Sequence, residues 1–362
     1  MVRRVAQCAT VPGRCASVAQ MRVAVIGLGY WGPNLVRNLA SSAATELAAI
    51  CDRDPARLAA IGAQFPSARQ VTDTAELFAS ADIDAVCIAT PVATHYALVK
   101  AALESGKHVL VEKPFVQQVA EAEELVALAR ERGLVLMLDH VFLYSPAVRR
   151  LAEAVRSGEL GDIQYVDSVR INLGLVQQDV NVLWDLAAHD LSIMDHLVGR
   201  LPRSVVAVGE AHQGHDLADV AYLHLDYGDG LIASAHVNWL SPVKIRHFLV
   251  GGSRRSALYN ELDPSERLKI YDRGVDSTPD RESLRQIAVS YRSGDVVAPR
   301  LDPVEPLLAM VEHFAECVRD GRTPISDGEQ GLRIVRILAA SEESLAKRGA
   351  SINLTDPEGD DR

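Results

Sequence analysis

From Arg22 to about residue 140, short apolar runs alternate with stretches of helical spacing. The runs predict strands at 22–27, 46–51, 84–89, 108–111 and 134–138. Between them, residues 32–41, 55–63, 74–80, 94–105 and 117–132 read as helices. In the first of these, Leu35, Val36 and Leu39 fall on one side. Strands that alternate with helices this regularly lie parallel, with right-handed crossovers and helices on both faces. The expected fold is therefore α/β, with an N-terminal doubly wound parallel sheet.

Beyond residue 140 the pattern changes. A helix from Pro146 to Ser157 leads through Gly158-Glu159-Leu160-Gly161 into longer runs at 162–174, 203–211, 218–227, 230–239, 245–251, 256–260 and 267–271. Tyr227-Gly228-Asp229-Gly230 has the chemistry of a hairpin turn. Closely spaced strands with short turns predict a mostly antiparallel open sheet, hence a C-terminal α+β domain. The polar stretch 272–302 reads as an extended loop. Two helices follow, near 304–320 and 327–348, and Leu332, Val335, Leu338 and Ala339 form an apolar stripe on the second. The expected organisation is a tail at 1–20, a dinucleotide-binding domain at 21–140, a substrate-binding and oligomerisation domain at 141–354, and an acidic tail at 355–362. Residues 1–20 hold three Arg and no acid and lack the apolar core of a secretory signal; they read as a flexible tail, or as sequence ahead of a start at Met21.

The first strand carries the strongest chemical signal. Arg22-Val23-Ala24-Val25-Ile26 runs directly into Gly27-Leu28-Gly29-Tyr30-Trp31-Gly32, a G-x-G-x-x-G turn that opens a helix. Such glycines permit the tight turn, close approach of a pyrophosphate and close helix–strand packing, while the helix N-terminus favours phosphate. The second strand ends at Asp52, about 20 residues past Gly32, where an acid hydrogen-bonds a ribose 2′-hydroxyl. Asp52 favours NAD; Arg53 beside it would instead pair with the 2′-phosphate of NADP. Tyr30 and Trp31 belong to the same turn. Thr90, Pro91 and His95 follow the third strand and fall along the expected cofactor path, although Pro91 also ends a strand locally.

Composition narrows the partners. The 362 residues include 48% hydrophobic and 23% charged residues, ordinary for a globular protein, and carry a net charge of −11. That charge, without a basic patch, argues against nucleic acid or an anionic membrane as partner. Cys8, Cys15, Cys51, Cys87 and Cys317 form no CxxC pair, and no metal-ligand spacing appears, so a cytoplasmic protein without a metal is expected.

Two further segments bear chemistry. Val109-Leu110-Val111-Glu112-Lys113-Pro114 sets an acid and a lysine at a strand end, with the proline restricting Lys113. A lysine at a partly desolvated site can serve as acid or base; a surface ion pair is the plainer alternative. Asn181-Val182-Leu183-Trp184-Asp185-Leu186-Ala187-Ala188-His189 reads as helix from Trp184, placing Asp185 and His189 at i and i+4. The carboxylate there would orient the imidazole for proton transfer, or the two form only a local helix pair. Tyr144 and Asn172 are candidate substrate hydrogen-bonders, with a packed core aromatic as the other reading of Tyr144.

Taken together, GLGYWG, Asp52, Ala89-Thr90-Pro91 with His95, Glu112-Lys113-Pro114 and the D-x-x-x-H of Asp185 and His189 resemble the glucose-fructose oxidoreductase/inositol dehydrogenase (Gfo/Idh/MocA) family, over nearly the whole chain after Met21. The resemblance implies that Lys113, Asp185 and His189 are catalytic and lie against substrate, with Glu112 and Lys113 also near the cofactor. His140 to Val148, Asn181 to Asp190 and Tyr291 to Asp295 look like a branch associated with sugar-nucleotide genes, from which Ser145-Pro146 and Ala187-Ala188 depart. The implied activity is hydride transfer between NAD or NADP and a secondary alcohol or ketone of a sugar, a nucleotide-linked one in that branch. Cyclitol dehydrogenation and glycoside cleavage through transient oxidation are the alternatives, a non-catalytic sensor the more distant one. A homodimer or homotetramer is expected, the second sheet having a free face.

Overall fold

The computed structural model describes residues 20–174, 176–214, 216–276 and 290–354. The two expected tails thus lie outside the described residues, apart from Gln20. Six parallel strands form the first sheet: β1 (Met21–Ile26), β2 (Thr45–Cys51), β3 (Arg69–Val71), β4 (Ala85–Ile88), β5 (His108–Val111) and β6 (Leu136–Leu138). Their order is β3-β2-β1-β4-β5-β6, so the strand order reverses between β1 and β4. A crevice opens there beyond the carboxyl ends, where ligands of doubly wound sheets bind. Helices α1 (Gly32–Ser41), α2 (Pro55–Gly62), α3 (Thr74–Ala79), α4 (His95–Glu104) and α5 (Val119–Arg132) connect the strands. Covered on both faces, β4 buries all four residues. Helix α1 lays Leu35, Val36 and Leu39 against the sheet, each contributing about 1.5–3 kcal/mol by burial.

Strand β3 has no counterpart among the expected elements. Arg69 and Gln70 are exposed, so no apolar run marks it; backbone pairing with Ala49–Cys51 makes it a strand.

The second sheet follows α6 (Pro146–Arg156). Its strands are β7 (Ile163–Leu173), β8 (Ser204–Glu210), β9 (Val220–Gly228), β10 (Leu231–Asn238), β11 (Leu240–Gly252), β12 (Ser256–Asn260), β13 (Leu268–Asp276), β14 (Ser290–Val297) and β15 (Ile352–Asn353). They lie in the order β14-β13-β12-β11-β7-β10-β9-β8-β15, antiparallel except where β7 meets β10. Between β7 and β8, a π-helical turn at Leu183–Ala187 runs into α7 (Ala188–Val198). The expected loop at 272–302 requires correction: β13 continues to Asp276, and β14 pairs with it as the sheet's edge. Edge strands need no alternation of apolar and polar positions, and the pairing is helped by Arg292 on Asp272 at 3.0 Å.

Helices α8 (Pro306–Asp320) and α9 (Gly328–Ala346) close the chain back on both sheets. Against the first sheet, a Cβ at Gly331 would stand 2.8 Å from the Leu138 side chain, and the backbone N–H of Leu138 donates to the Ser326 carbonyl at 2.8 Å. Against the second, the Ser344 hydroxyl accepts the Ala207 N–H at 2.9 Å.

Candidate active site

A cleft of about 1330 Å³ runs from the glycine turn, past the ends of β4 and β5, to the face formed by β7, β11 and the π-helical turn. Its first end is shaped by the three glycines in different ways. Gly27 takes φ +94°, and a Cβ there would stand 2.6 Å from the Ala89 carbonyl oxygen. At Gly32 a Cβ would lie 2.0 Å from the Gly27 carbonyl oxygen, so this glycine serves packing and does not line the cleft. Gly29 faces open space, with Arg57 Nη1 nearest at 3.9 Å. No side-chain cap and no acid occupies the start of α1, which leaves the positive end of that helix to an anion.

Asp52 is held by the turn itself. Its carboxylate accepts the Leu28 N–H at 2.7 Å and the Asp54 N–H at 2.8 Å, and Arg57 approaches to 3.9 Å. Arg53 stands exposed at the rim, and Tyr30, at 94% exposure, projects beside it along the lining. Thr72, Asp73 and Thr74 complete this end; the missed strand β3 puts them there. An open cradle at Gly29, an uncapped helix start and an acid at the β2 end together fit a dinucleotide.

Thr90 and Pro91 line the middle of the cleft. His95 does not. Its ring nitrogens lie 2.9 Å from the Thr90 carbonyl oxygen and 3.0 Å from that of Pro114, so it braces two strand ends from beneath. Burial holds its pKa below the ordinary imidazole value. This corrects its expected place on the cofactor path.

At the far end, Lys113 precedes a cis peptide bond to Pro114 and reaches across to the π-helical turn. Its Nζ donates to Asp185 Oδ1 and to the Asp185 carbonyl, both at 2.9 Å. Trp239 Nε1 donates to the other carboxylate oxygen at 3.0 Å. Asp185 therefore orients Lys113, and no hydrogen bond links it to His189 as the i, i+4 spacing suggested. The π-helical turn interrupts regular helical spacing between the two residues.

His189 instead packs edge-on against Phe142, with ring centroids 4.9 Å apart, and its buried Nδ1 has no partner. Burial, then the positive charges of Lys113 and Arg170, push its pKa well below the ordinary value. It is a neutral imidazole in the cleft, competent to accept a proton.

Two expected substrate contacts are corrected by where the fold places them. Tyr144 is 3% exposed, its hydroxyl facing Ser326 Oγ at 3.5 Å, and it is a core aromatic. Asn172 is folded beside Gly174 and does not line the cleft.

Other residues take their places. Arg170 on β7 and Arg246 on β11 are cross-strand neighbours, and Glu261 bonds both guanidinium groups. Arg170 also makes two hydrogen bonds to Asp190, at 2.8 and 3.1 Å. Asp139, one residue past β6, sits beside Glu112, one residue past the neighbouring β5. Its Oδ2 accepts the Trp31 indole N–H at 2.7 Å. Acids at the ends of two consecutive parallel strands were a signal in the sequence; the Arg–Glu–Arg bridge depends on a register that no local pattern carries.

A family description, "Oxidoreductase family, NAD-binding Rossmann fold", matches residues 21–140, and "GFO/IDH/MocA C-terminal domain" matches residues 148–258. The chain belongs to the Gfo/Idh/MocA oxidoreductases. Within this family it is similar to UDP-N-acetylglucosamine 3-dehydrogenase from Acidithiobacillus ferrooxidans, at 30% identity over 87% of this chain and 94% of that one. A crystal form of that enzyme superimposes with a TM-score of 0.78 at 28% identity, covering 91% and 99% of the two chains. D-apiose dehydrogenase from Paraburkholderia graminis is 25% identical over 93% and 91%. As a Gfo/Idh/MocA protein the chain is an NAD(P)-dependent dehydrogenase with an NAD-binding Rossmann fold. Among the described residues, no helix is long and apolar enough to cross a membrane.

Proposed function

We propose that this oxidoreductase acts on a secondary alcohol or ketone of a nucleotide-linked sugar, with Lys113 and His189 as its proton-handling groups and Asp185 as the group that positions Lys113. The observation carrying this reading is the juxtaposition of an ion-paired lysine and a neutral, unpartnered imidazole in one cleft beyond the glycine turn. Bound there, the dinucleotide supplies hydride acceptance or donation. Gly27, Gly29, Tyr30, Trp31, Asp52, Arg53, Thr90, Pro91, Glu112 and Lys113 are the proposed cofactor residues, with Gly32 shaping the turn. The Asp52 carboxylate receives ribose hydroxyls, and the open space at Gly29 admits the pyrophosphate.

His189, its Nδ1 buried, takes the hydroxyl proton of an alcohol on Nε2 or returns it to a ketone. Lys113 Nζ, with two of its donors fixed by Asp185, points its third at the same oxygen. Phe142 and Leu186 supply apolar lining at this end. The sugar-nucleotide class draws support from the Acidithiobacillus relative, whose name gives UDP-N-acetylglucosamine as its substrate. Residues 21–140 are the proposed dinucleotide unit and 141–354 the substrate unit. A homodimer or homotetramer, formed through the outer face of the second sheet where Tyr165, Tyr222 and Ile232 are exposed, is part of the proposal, as is a cytoplasmic location.

The test is absorbance at the reduced-nicotinamide band with NAD or NADP and a panel of UDP- and dTDP-sugars beside free sugars and cyclitols. Turnover confined to nucleotide sugars, and lost in Lys113→Ala and His189→Ala, is the expected result. Turnover of free sugars or cyclitols alone would overturn the substrate class, and glycoside cleavage with no net NADH would replace the reaction. Light scattering at the monomer mass would overturn the assembly.

A further inference from the structure

The carboxyl groups of Glu112 and Asp139 follow the paired ends of β5 and β6, both line the cleft, and lie near enough to interact. Glu112 Oε1 and Asp139 Oδ1 are buried and find no N–H donor. The remaining oxygens are fixed: Glu112 Oε2 accepts the Lys113 backbone N–H at 3.1 Å, and Asp139 Oδ2 accepts the Trp31 indole at 2.7 Å. Two carboxylates this close cannot both ionise readily, and a proton between the unsatisfied oxygens satisfies both at once. Burial, then Asp139, hold the Glu112 pKa well above the ordinary range, in keeping with Glu112 as the proton's holder. One negative charge then remains on the pair.

The pair adjoins Lys113 in sequence through Glu112, and its charged member Asp139 is pinned to the glycine turn through Trp31. The nicotinamide ring is cationic when oxidised and neutral when reduced, so a fixed charge at its end of the cleft discriminates between the two forms. We infer that the Glu112–Asp139 pair, carrying one proton and one negative charge, biases the site toward the oxidised dinucleotide. This rests on the proposed reading of Glu112 and Lys113 as cofactor residues at the end of the cleft where hydride passes. The other titratable groups facing the pair are Cys87 on β4, Tyr144 and His140. Burial keeps all three neutral, and the Lys113 ammonium is offset by Asp185 at 2.9 Å, which leaves the charge of the pair uncompensated beside it.

The experiment is calorimetric titration of the full chain with NAD⁺, NADH and ADP-ribose. Glu112→Gln replaces the shared proton by an amide donor and leaves Asp139 charged, so the ratio of NAD⁺ to NADH affinity stays near that of the unsubstituted protein. Glu112→Gln with Asp139→Asn cannot carry a charge, and the ratio falls roughly threefold to thirtyfold. ADP-ribose, which has no nicotinamide, binds each variant about equally. Parallel weakening of NAD⁺ and NADH in the double variant, or an unchanged ratio, would overturn the inference. Should that variant fail to fold, the ratio is measured in Glu112→Gln with Asp139→Ser, which also removes the charge and keeps an oxygen to accept from Trp31; an unchanged ratio overturns the inference equally. Failure of the unsubstituted protein to bind any of the three ligands would instead remove the cofactor reading beneath it.

Discussion

Lys113 and Asp185, 72 residues apart in sequence, join the two sheets through a 2.9 Å ion pair at the far end of the cleft from the glycine turn. Each side chain is largely buried, at 18% and 16% exposure, so their attraction is little screened. The carboxylate is further fixed by Trp239, which makes the lysine's direction a property of three elements at once.

Replacing Lys113 by Met is therefore expected to lower kcat by roughly 10²–10⁴, the usual contribution of a positioned proton donor, with NAD affinity changed far less. Trp239→Phe, which frees one Asp185 oxygen, gives a smaller loss in kcat. Steady-state kinetics beside cofactor titration check both; equal losses in kcat and NAD affinity for Lys113→Met would assign the lysine to binding alone.

The glycines separate fold from binding. Gly27→Ala forces a side chain into positive φ against the Ala89 carbonyl and is expected to cost about 1–3 kcal/mol in stability. Gly29→Ala meets no protein atom closer than 3.9 Å, so the melting temperature stays put while NAD affinity drops at least about tenfold. Differential scanning fluorimetry and titration on the same samples decide the matter.

Arg170 and Asp190 are buried at 3% and 2% exposure. Arg170→Met strands Asp190 and half of Glu261, with an expected loss of about 3–5 kcal/mol in urea unfolding. Adding Asp190→Leu should recover part of that loss. No recovery would mean that the packing of the guanidinium over Phe142, 4.7 Å from the ring centroid, matters more than its charge.

Burial, then Lys113, push the His140 pKa down to about 3, and His189 moves in the same direction. An imidazole whose folded pKa is depressed contributes stability above its unfolded value of ~6.5, which is lost as pH falls toward the folded value. Glu112 has the opposite sign: its raised pKa contributes stability at acid pH that is lost as pH rises through the folded value. Urea midpoints should therefore decline from about pH 6.5 downward, and His140→Leu should flatten that decline. A parallel decline in the variant would locate the acid sensitivity elsewhere.

Local patterns were enough for the first sheet because each of its central strands is an apolar run closed by glycine, proline or an acid, as at Ile26-Gly27 and Cys51-Asp52. Strands β3 and β14 lacked such a mark, being edge strands made by pairing and not by burial. The same division runs through the site. Gly29, Asp52 and Lys113 announce themselves next to the elements that place them. Asp185 was legible as a residue but its partner was not, since the lysine comes from the other sheet and the π-helical turn redirects the spacing. Tyr144 and His95 looked functional from their neighbours in sequence; only depth in the fold distinguishes a hydroxyl facing Ser326 from one facing a ligand.

Helix α9 touches β6 and α5 on one side and β8 on the other, with Arg336 on Glu123 at 2.9 Å and Asp195 clasped by Arg333 at 2.7 Å. The last helix made is thus the clamp that holds the first sheet to the second. A ribosome must release nearly the whole chain before the cleft acquires its final width, and a protein cut after residue 140 would leave the apolar sides of Leu136 and Val126 uncovered. Unfolding should accordingly run as a single transition for both sheets, and a chain shortened from its carboxyl side should lose the dinucleotide before it loses any residue that touches it.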